Sequence, residues 1–262
     1  MDYPFVARMI NDRIQGQVAI EYNENTADLD DIAQTEALKQ AISYNEKLDS
    51  GTGVKIEDAF EREDEGEIEE HQKYDSLLNA GGDGIMGILE IPLIHIDLPI
   101  YHGTSAEVLQ KGAGHLEGSS LPVGGTDTHS CISAHRGLVR KKMFTELDEL
   151  KIGDIFLIHI MGETLCYEIE KIETVLPDEV KALEIQKGKD LCTLITCTPY
   201  GINTHRLYVE GHRIPYTEEV SKQAEEEQKG FRWQEWWWLY MTIVLLVVMC
   251  LMIVRYNRKQ VD

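Results

Sequence analysis

The sequence has few basic residues for its length. It contains 25 lysines and arginines against 46 aspartates and glutamates, which gives a formal net charge of −21. A charge of this size repels polyphosphates, and no local run of basic residues offsets it. We therefore expect no nucleic-acid partner.

The chain also lacks the cysteine spacing of metal and redox sites. Zinc ribbons and dithiol redox sites need closely paired thiols, and the histidines add no ligand spacing. A chain of 262 residues can bury one core of ordinary size without disulfides. The sequence predicts one main domain with appendages, no metal and no cofactor. The irregularly spaced cysteines, which form no CxxC pair, are Cys131, Cys166, Cys192, Cys197 and Cys250.

A secretory signal is missing from the first residues, which contain no apolar run. In contrast, residues 236–254 carry no charge over 19 positions, enough helix to span roughly 28 Å of hydrocarbon. Three tryptophans begin this stretch and basic residues follow it, a pattern not typical of a buried core helix. We predict a transmembrane helix at 236–254, a cytoplasmic tail at 255–262 and a main domain outside the cell membrane. An outside domain needs export, so we expect a signal-anchor ahead of this chain.

Apolar spacing and charge divide the rest of the chain into segments. Two helical patterns, with Asn25 and Thr26 between them, predict an N-terminal helical hairpin over residues 1–48. Residues 49–80 are acidic, with nine acids and one arginine between positions 57 and 70, which is typical of a solvated, mobile stretch. Residues 217–235 are predicted to form a helical stalk.

Residues 81–216 have a β pattern with turns rich in glycine and proline. Short helices are predicted at 106–112 and 179–185. Many short strands with few helices favour a closed barrel over a doubly wound sheet, so the fold class is mainly β. The predicted strands are 85–90, 93–98, 130–134, 155–160, 165–172, 191–197 and 206–211.

Gly82, Gly84 and Gly87 form the GxGxxG pattern of dinucleotide sites. That motif requires a strand before it and a helix after it, so that the glycines place a pyrophosphate at the helix N-terminus. Here an acidic loop precedes the glycines and a β-type run follows. We interpret them as a turn into the first barrel strand.

Cys197 and Arg206 mark the strongest candidate for a chemical site. Cys197 ends one predicted strand and Arg206 begins the next, with a Pro-Tyr-Gly turn between them. If the strands are neighbours, the guanidinium would favour a thiolate and could hold a developing oxyanion. His135, in a loop after a short apolar strand, is the candidate proton donor, and Thr196 is a candidate support. The pattern predicts a thiol acyl-transfer site.

Each of these residues also has a purely structural interpretation. A cysteine in an apolar strand is more often packing than a nucleophile, and His135 could be a loop histidine with no catalytic part. Arg206 could be a solvated charge at a strand edge, with Arg136 and Arg213 as competitors for its role. The histidines that we interpret as structural are His102, His129, His205 and His212.

These motifs resemble the sortases, the membrane-bound cysteine transpeptidases of Gram-positive bacteria. Thr-Leu-x-Thr-Cys at 193–197, followed nine residues later by arginine, is the family signature. The resemblance covers roughly residues 3–216 and implies an eight-stranded β-barrel with catalytic Cys197, His135 and Arg206. Further motifs resemble class C, the pilin-polymerising branch: Gly82-Asp-Gly, Ile91-Pro, Ile100-Tyr-His-Gly, residues 112–125, Ala134-His-Arg-Gly, Phe144-Thr-Glu-Leu and Gly153-Asp.

The resemblance also implies a reaction and a lid. It implies cleavage of an LPxTG-like sorting signal and transfer of the acyl group to a pilin lysine amine. A sortase that anchors surface proteins to cell-wall peptide, a membrane-tethered cysteine peptidase and a peptide-binding module are the alternatives. In class C a lid covers the site, its acid on the catalytic arginine and its ring over the cysteine, here Asp58 and Phe60. Ala59 stands where the family usually has proline.

Overall fold

The computed structural model describes residues 3–27, 29–48, 56–60, 73–138, 141–229, 240–250 and 252. The chain divides into two compact units, Met1–Gln228 and Lys229–Asp262. Most of the predicted acidic segment, at 49–55 and 61–72, lies outside the described residues, and so does the predicted tail at 255–262.

Eight strands of the first unit close into a barrel in the order β1-β2-β3-β4-β7-β8-β6-β5. The pairs β2–β3 and β4–β7 are parallel, and the other pairs are antiparallel. The predicted mainly β class and the closed barrel are therefore confirmed. The strands are β1 Ile85–Ile91, β2 Ile96–His102, β3 Ala113–His115, β4 Thr128–Ser133, β5 Ile155–Ile160, β6 Glu163–Val175, β7 Asp190–Thr198 and β8 His205–Ile214.

Alternate residues of β4, β7 and β8 pack on opposite faces of the barrel wall, as the two-residue period of a strand requires. One face belongs to the main core, which contains Ile132, Leu194 and Val209. The other face carries a second cluster that includes Ile195 and Tyr208. Cys197 lies two residues after Ile195 in β7, so both residues are on the same face of the wall. The candidate site is therefore on the face that carries the second cluster.

The glycine pattern forms the expected turn. Gly82 and Gly84 have φ values of 70° and 83°, a conformation that glycine adopts without strain, and β1 begins immediately afterwards. Gly87 lies inside the strand, where an added Cβ would come within 2.9 Å of the His159 carbonyl oxygen. No helix follows the motif, which excludes the dinucleotide arrangement here.

One strand was not predicted, and two predicted elements differ from the structure. The strand β3 was not predicted, because three residues around a glycine show no periodicity. β2 begins at Ile96, after a 3₁₀ turn at Pro92–Ile94 in which the fixed φ of proline opens the turn. The predicted helix at 179–185 is reduced to a 3₁₀ turn at Val180–Leu183.

The N-terminal region contains two helices, α1 Tyr3–Ala27 and α2 Asp31–Lys47. α1 continues through the predicted break at 25–26. α2 begins after Asp30, whose carboxylate caps the helix by accepting a 2.7 Å bond from the Ala33 amide. α1 is fixed to the barrel by Tyr22, whose hydroxyl donates to the Met86 carbonyl at 2.8 Å.

Two further helices complete the first unit. The predicted helix at 106–112 is present as α3, Ala106–Lys111, and the first part of the predicted stalk forms α4, Glu218–Lys229. Val220 and Ala224 of α4 pack on a barrel cluster that includes Ile155 and Leu157.

In the second unit the structure describes a helix at 240–250. Several of its apolar side chains are exposed, among them Leu245 and Val247. Part of the predicted span, at 236–239, 251, 253 and 254, lies outside the described residues. Among the residues that are described, no helix is both long enough and apolar enough to cross a membrane.

Candidate active site

Strand register brings Cys197, His135 and Arg206 to one end of the barrel. Cys197 lies directly opposite Arg206 in the antiparallel β7–β8 pair. On the other side of β7, the parallel β4–β7 ladder pairs Ser133 with Ile195. Since strands in a parallel pair run together, His135 and Cys197 each lie two residues beyond that last pair. Three separate elements thus converge on this end of the wall.

Cys197 differs from the other barrel cysteines in its surroundings. It lies at the end of its strand and retains 8% exposure, whereas Cys131, Cys166 and Cys192 are fully buried. Burial raises the pKa of the Cys166 thiol to about 11 and also raises the pKa values of the Cys131 and Cys192 thiols. Those three thiols are therefore protonated at neutral pH, and the structural interpretation fits them.

The loop that carries His135 is held in place by backbone and side-chain bonds. The His135 carbonyl accepts a 3.1 Å bond from the Phe144 amide. One residue earlier, the Ala134 carbonyl accepts a 2.8 Å bond from the Thr196 hydroxyl, so Thr196 links the cysteine strand to the histidine loop. Half-burial of the imidazole lowers the pKa of His135, which leaves it mostly neutral at pH 7.

Arg206 is not a solvated surface charge, since only 3% of the residue is exposed. Its Nη1 donates to the carbonyls of Asn203 and His205 at 3.2 and 3.3 Å, which turns the guanidinium toward the site. Nε and Nη2 donate to the two carboxylate oxygens of Asp58 at 2.7 and 2.6 Å. This is the bidentate fork geometry that arginine makes with a carboxylate.

The two competing arginines have other contacts. The Arg213 guanidinium lies over the Tyr167 ring, 5.7 Å from its centroid. The Arg136 guanidinium contacts Asp148 and Thr198. Of the three arginines, Arg206 is the one paired with Cys197 across the strands.

Residues 56–60 cover this end of the barrel. The Phe60 ring lies 5.8 Å from the His135 ring and 5.1 Å from the Arg206 guanidinium carbon. Ala59 is 2% exposed and belongs to the second hydrophobic cluster. The Phe60 amide donates back to the Asp58 carboxylate at 3.3 Å, which gives the segment a short turn. The acid and the ring of this segment therefore lie on the arginine and the histidine.

A buried histidine positions the connection between β6 and β7, which borders the same cluster. His129 Nδ1 donates to the Glu184 carbonyl at 3.0 Å, while Nε2 accepts from the Thr193 hydroxyl at 2.7 Å. Leu183, the neighbour of Glu184, packs in the cluster with Ala59. His129 thus has a structural place, and so does His102, whose ring nitrogens contact the Gly84 and Leu77 carbonyls.

Across the described residues, no group of three or more histidine, cysteine, aspartate or glutamate side chains has the arrangement of a metal site. The groups that strand pairing brings to this end of the barrel are a thiol, an imidazole and a guanidinium. Sequence reasoning named those three groups as candidates. It missed the contacts of Asp148 with Arg136 and of the Asn203 carbonyl with Arg206, because no sequence pattern marks which loop group an arginine will meet.

The family model of the sortase domain matches residues 89–214. The crystal structure of sortase C1 from Streptococcus agalactiae is 43% identical, with a TM-score of 0.70, and the match covers 77% of this chain and 100% of that one. Sortase C from Streptococcus pneumoniae is 42% identical, with a TM-score of 0.69, over 77% of this chain and 98% of that one.

More distant relatives match over a shorter part of the chain. Sortase D of Bacillus subtilis is 34% identical over 131 residues, which is 49% of this chain and 63% of that protein. Sortase A of Streptococcus agalactiae is 31% identical over 117 residues, which is 44% of this chain and 47% of that protein. The chain thus spans about half to three fifths of the length of these two relatives.

Proposed function

Because this chain belongs to the sortase family, we propose that it is a cysteine transpeptidase that cleaves an LPxTG-like sorting signal and joins the acyl group to a pilin lysine amine. The observation that carries this proposal is the register that sets Cys197 against Arg206, with His135 at the same level of the neighbouring strand. Thiol, imidazole and guanidinium are the groups that acyl transfer through a thioester requires.

The first half-reaction forms the thioester. The Cys197 thiolate attacks the threonine carbonyl of the Thr-Gly bond, and Arg206 donates to the oxyanion that develops. The intermediate collapses with cleavage of the C–N bond, and His135 gives its proton to the departing glycine amine. General acid catalysis of this kind contributes typically ~10²–10⁴ in rate, and one oxyanion donor ~10²–10³.

The second half-reaction resolves the thioester with an amine. The lysine nitrogen attacks the acyl carbon, His135 takes the proton that the nitrogen loses, and collapse of the intermediate releases the Cys197 thiolate. Cysteine is nucleophilic enough for a minority population of thiolate and imidazolium to carry this chemistry. The lowered pKa of His135 is compatible with such a minority population.

Asp58 and Phe60 act, in this proposal, as a lid that competes with substrate. The Asp58 carboxylate occupies the Arg206 donors that an acyl oxygen would need, and Phe60 lies on the His135 ring. Substrate affinity is then reduced by the fraction of protein whose lid is open. The aspartate–arginine contact supports the lid more strongly than the sequence pattern, in which the usual proline is absent.

Pilin assembly is proposed over the anchoring of surface proteins to cell-wall peptide. The similar sortase C of Streptococcus pneumoniae is described in terms of catalysis and pilin substrate specificity. The class C motifs of this sequence and the position of Asp58 favour the same branch. An anchoring sortase would use the same chemistry and would differ in its acceptor amine.

Product analysis tests the proposal against a peptidase. The protein is incubated with an LPxTG peptide, alone and with either a lysine-containing pilin domain or a cell-wall peptide, and the products are identified by mass spectrometry. We expect an isopeptide-linked product with the pilin domain. Hydrolysis that the amine does not divert would indicate a peptidase, and transfer to the cell-wall peptide alone would indicate anchoring.

We further propose that residues 236–254 anchor the enzyme in the cell membrane, with the barrel outside and the C-terminus in the cytoplasm. The basis is the charge-free run, its tryptophans and the basic residues after it. Protease treatment of intact cells should remove the barrel and leave an epitope at the C-terminus protected. Loss of that epitope from intact cells would contradict the orientation.

A further inference from the structure

Arg136 is a nearly buried arginine whose contacts join the two loops of the proposed site. Its side chain is 8% exposed. Nη1 donates to the Thr198 hydroxyl at 3.1 Å, and Nη2 pairs with the Asp148 carboxylate at 2.5 Å. Arg136 immediately follows His135 in the chain, and Thr198 immediately follows Cys197. The contact therefore links the residues just beyond the proposed acid and the proposed nucleophile.

A second link lies on the other side of the same pair. The Thr196 hydroxyl donates to the Ala134 carbonyl at 2.8 Å. The segment that contains His135 and the segment that contains Cys197 are thus joined by one hydrogen bond just before these two residues and by another just after them. The β4–β7 ladder ends at Ser133 and Ile195. Beyond that point, these side-chain bonds take over the alignment that the ladder provides elsewhere.

The surrounding loop holds the guanidinium of Arg136 in one orientation. Asp148 lies in the loop that also supplies Thr145, whose hydroxyl accepts a 3.2 Å bond from the Gly137 amide. The Tyr200 ring packs against Gly137, where an added Cβ would lie 3.1 Å away. The segment after His135 is therefore seated between the 141–150 loop and the loop that follows Cys197.

We propose that Arg136 is a positioning residue that fixes the His135 imidazole relative to the Cys197 thiol. This inference rests on the proposed function. The positive charge of Arg136 is paired with Asp148, and that of Arg206 with Asp58, so the role assigned to Arg136 is geometric. A planar fork reaches Thr198 and Asp148 at once, which an ammonium on a flexible stem does not reproduce. Small displacements of reacting groups lower the rate of the chemical step more than they lower substrate binding.

The test compares Arg136→Gln, Arg136→Lys, Thr198→Val and the Arg136→Gln/Thr198→Val double variant with the native protein, all with Asp58 and Phe60 unchanged. Acylation by a sorting peptide gives kcat and KM. We expect kcat to fall about tenfold or more in Arg136→Gln, with KM nearly unchanged. Thr198→Val, which keeps the side-chain shape, should lower kcat by a smaller factor. The kcat of the double variant should be no lower than that of Arg136→Gln, because both substitutions remove the same Arg136–Thr198 hydrogen bond.

A second measurement separates this inference from the proposed function. The rate of Cys197 alkylation by iodoacetamide is followed against pH, which requires no sorting signal. A thiolate is stabilised by an imidazole N–H that donates to it, so loosening the pair should move the alkylation midpoint to higher pH in Arg136→Gln and Thr198→Val. If the variants shift the alkylation midpoint but the native protein processes no sorting peptide, the positioning role of Arg136 is supported and the proposed transpeptidase function is rejected.

The matched control is Arg213→Gln, which removes an arginine that lies over Tyr167 and outside the site. It should change neither kcat nor the alkylation midpoint. The inference is overturned if Arg136→Gln and Thr198→Val lower the melting temperature but leave both quantities at native values. Additive losses in the double variant would also overturn it, as would full activity in Arg136→Lys. If Arg136→Gln does not fold, Thr198→Val alone decides the question.

Discussion

Asp58 and Arg206 form a bidentate ion pair, with N–O distances of 2.7 and 2.6 Å, although 148 positions separate them in the chain. Both side chains are nearly buried, at 8% and 4% exposure. A buried guanidinium left without an acceptor is costly, so Arg206 holds Asp58 until another acceptor replaces it. The proposed oxyanion donor is therefore occupied by a carboxylate of the same chain.

Opening the lid should expose the thiol. Asp58→Ala combined with Phe60→Ala removes the carboxylate from Arg206 and the ring from His135, so Cys197 should react faster with a small thiol reagent. Cleavage of a sorting peptide should rise in parallel. The measurement is the alkylation rate by intact-protein mass spectrometry, and Leu176→Ala, an exposed residue, is the control.

Stiffening the lid should act in the opposite direction. Proline at position 59 reduces the freedom of the open segment, an effect of about 0.4–1 kcal/mol where the local φ is compatible. Ala59→Pro should therefore slow alkylation of Cys197 by up to several-fold. Equal rates in the native, lid-opened and Ala59→Pro proteins would show that residues 56–60 do not gate the thiol.

Cys197 should be the essential thiol. Burial raises the pKa values of the Cys131, Cys166 and Cys192 thiols, so they have little thiolate at neutral pH. Cys197→Ala should abolish trapping of the acyl-enzyme by mass spectrometry, while alanine at each of the other three positions should preserve it. An acyl adduct on the Cys197→Ala protein would contradict the assignment.

Arg206 should act through the bidentate geometry of its guanidinium as well as through its charge. Arg206→Lys keeps a cation but cannot donate along two parallel directions, so kcat should fall by about 10²–10³ with the barrel intact by circular dichroism. The weaker contact to Asp58 should also speed alkylation of Cys197. Near-native turnover in the lysine variant would mean that a point charge is sufficient.

Thr196 offers a conservative test of alignment within the site. Thr196→Val keeps the shape but removes the hydroxyl that donates to the Ala134 carbonyl, and Thr196→Ser keeps the hydroxyl. We expect the valine variant to lose kcat by about fivefold, since one neutral hydrogen bond contributes ~1 kcal/mol, and the serine variant to recover most of it. Equal activity of the two variants would show that the hydroxyl is not used.

Asp97 should make stability depend on pH. It lies opposite Glu90 in the β1–β2 pair, and burial first, then the Glu90 charge, raises the pKa of Asp97 to about 6, while His159 opposes the shift. A carboxyl with a raised native pKa contributes stability below its unfolded pKa of about 4, and that contribution is lost as pH rises through about 6.

Asp97→Asn should therefore stabilise the protein at pH 7.5 by about 1–2 kcal/mol and change little at pH 4. Urea unfolding at the two pH values gives the difference. The matched control is Asp83→Asn, which changes an exposed carboxylate in a surface turn. An identical effect of Asp97→Asn at pH 4 and pH 7.5 would contradict the raised pKa.

Much of the site could be predicted from the sequence because its signals are local. Cys197 at a strand end, Arg206 at the return and a turn between them already imply neighbours in a hairpin, and β7–β8 pairing brings them opposite each other. Seven of the eight strands also had enough periodicity to be located. β3 did not, since a three-residue strand is too short to show any.

Only the tertiary structure determined the contacts between residues that are far apart in the sequence. His135 reaches the cysteine through the parallel β4–β7 pairing, which no local pattern specifies. The sequence left three arginines open for one role. The structure separated them by placing one over Tyr167, one between Thr198 and Asp148, and one opposite Cys197 with Asp58 on it. Local propensity determines elements, whereas the partners of a buried charge are set only when distant segments pack together.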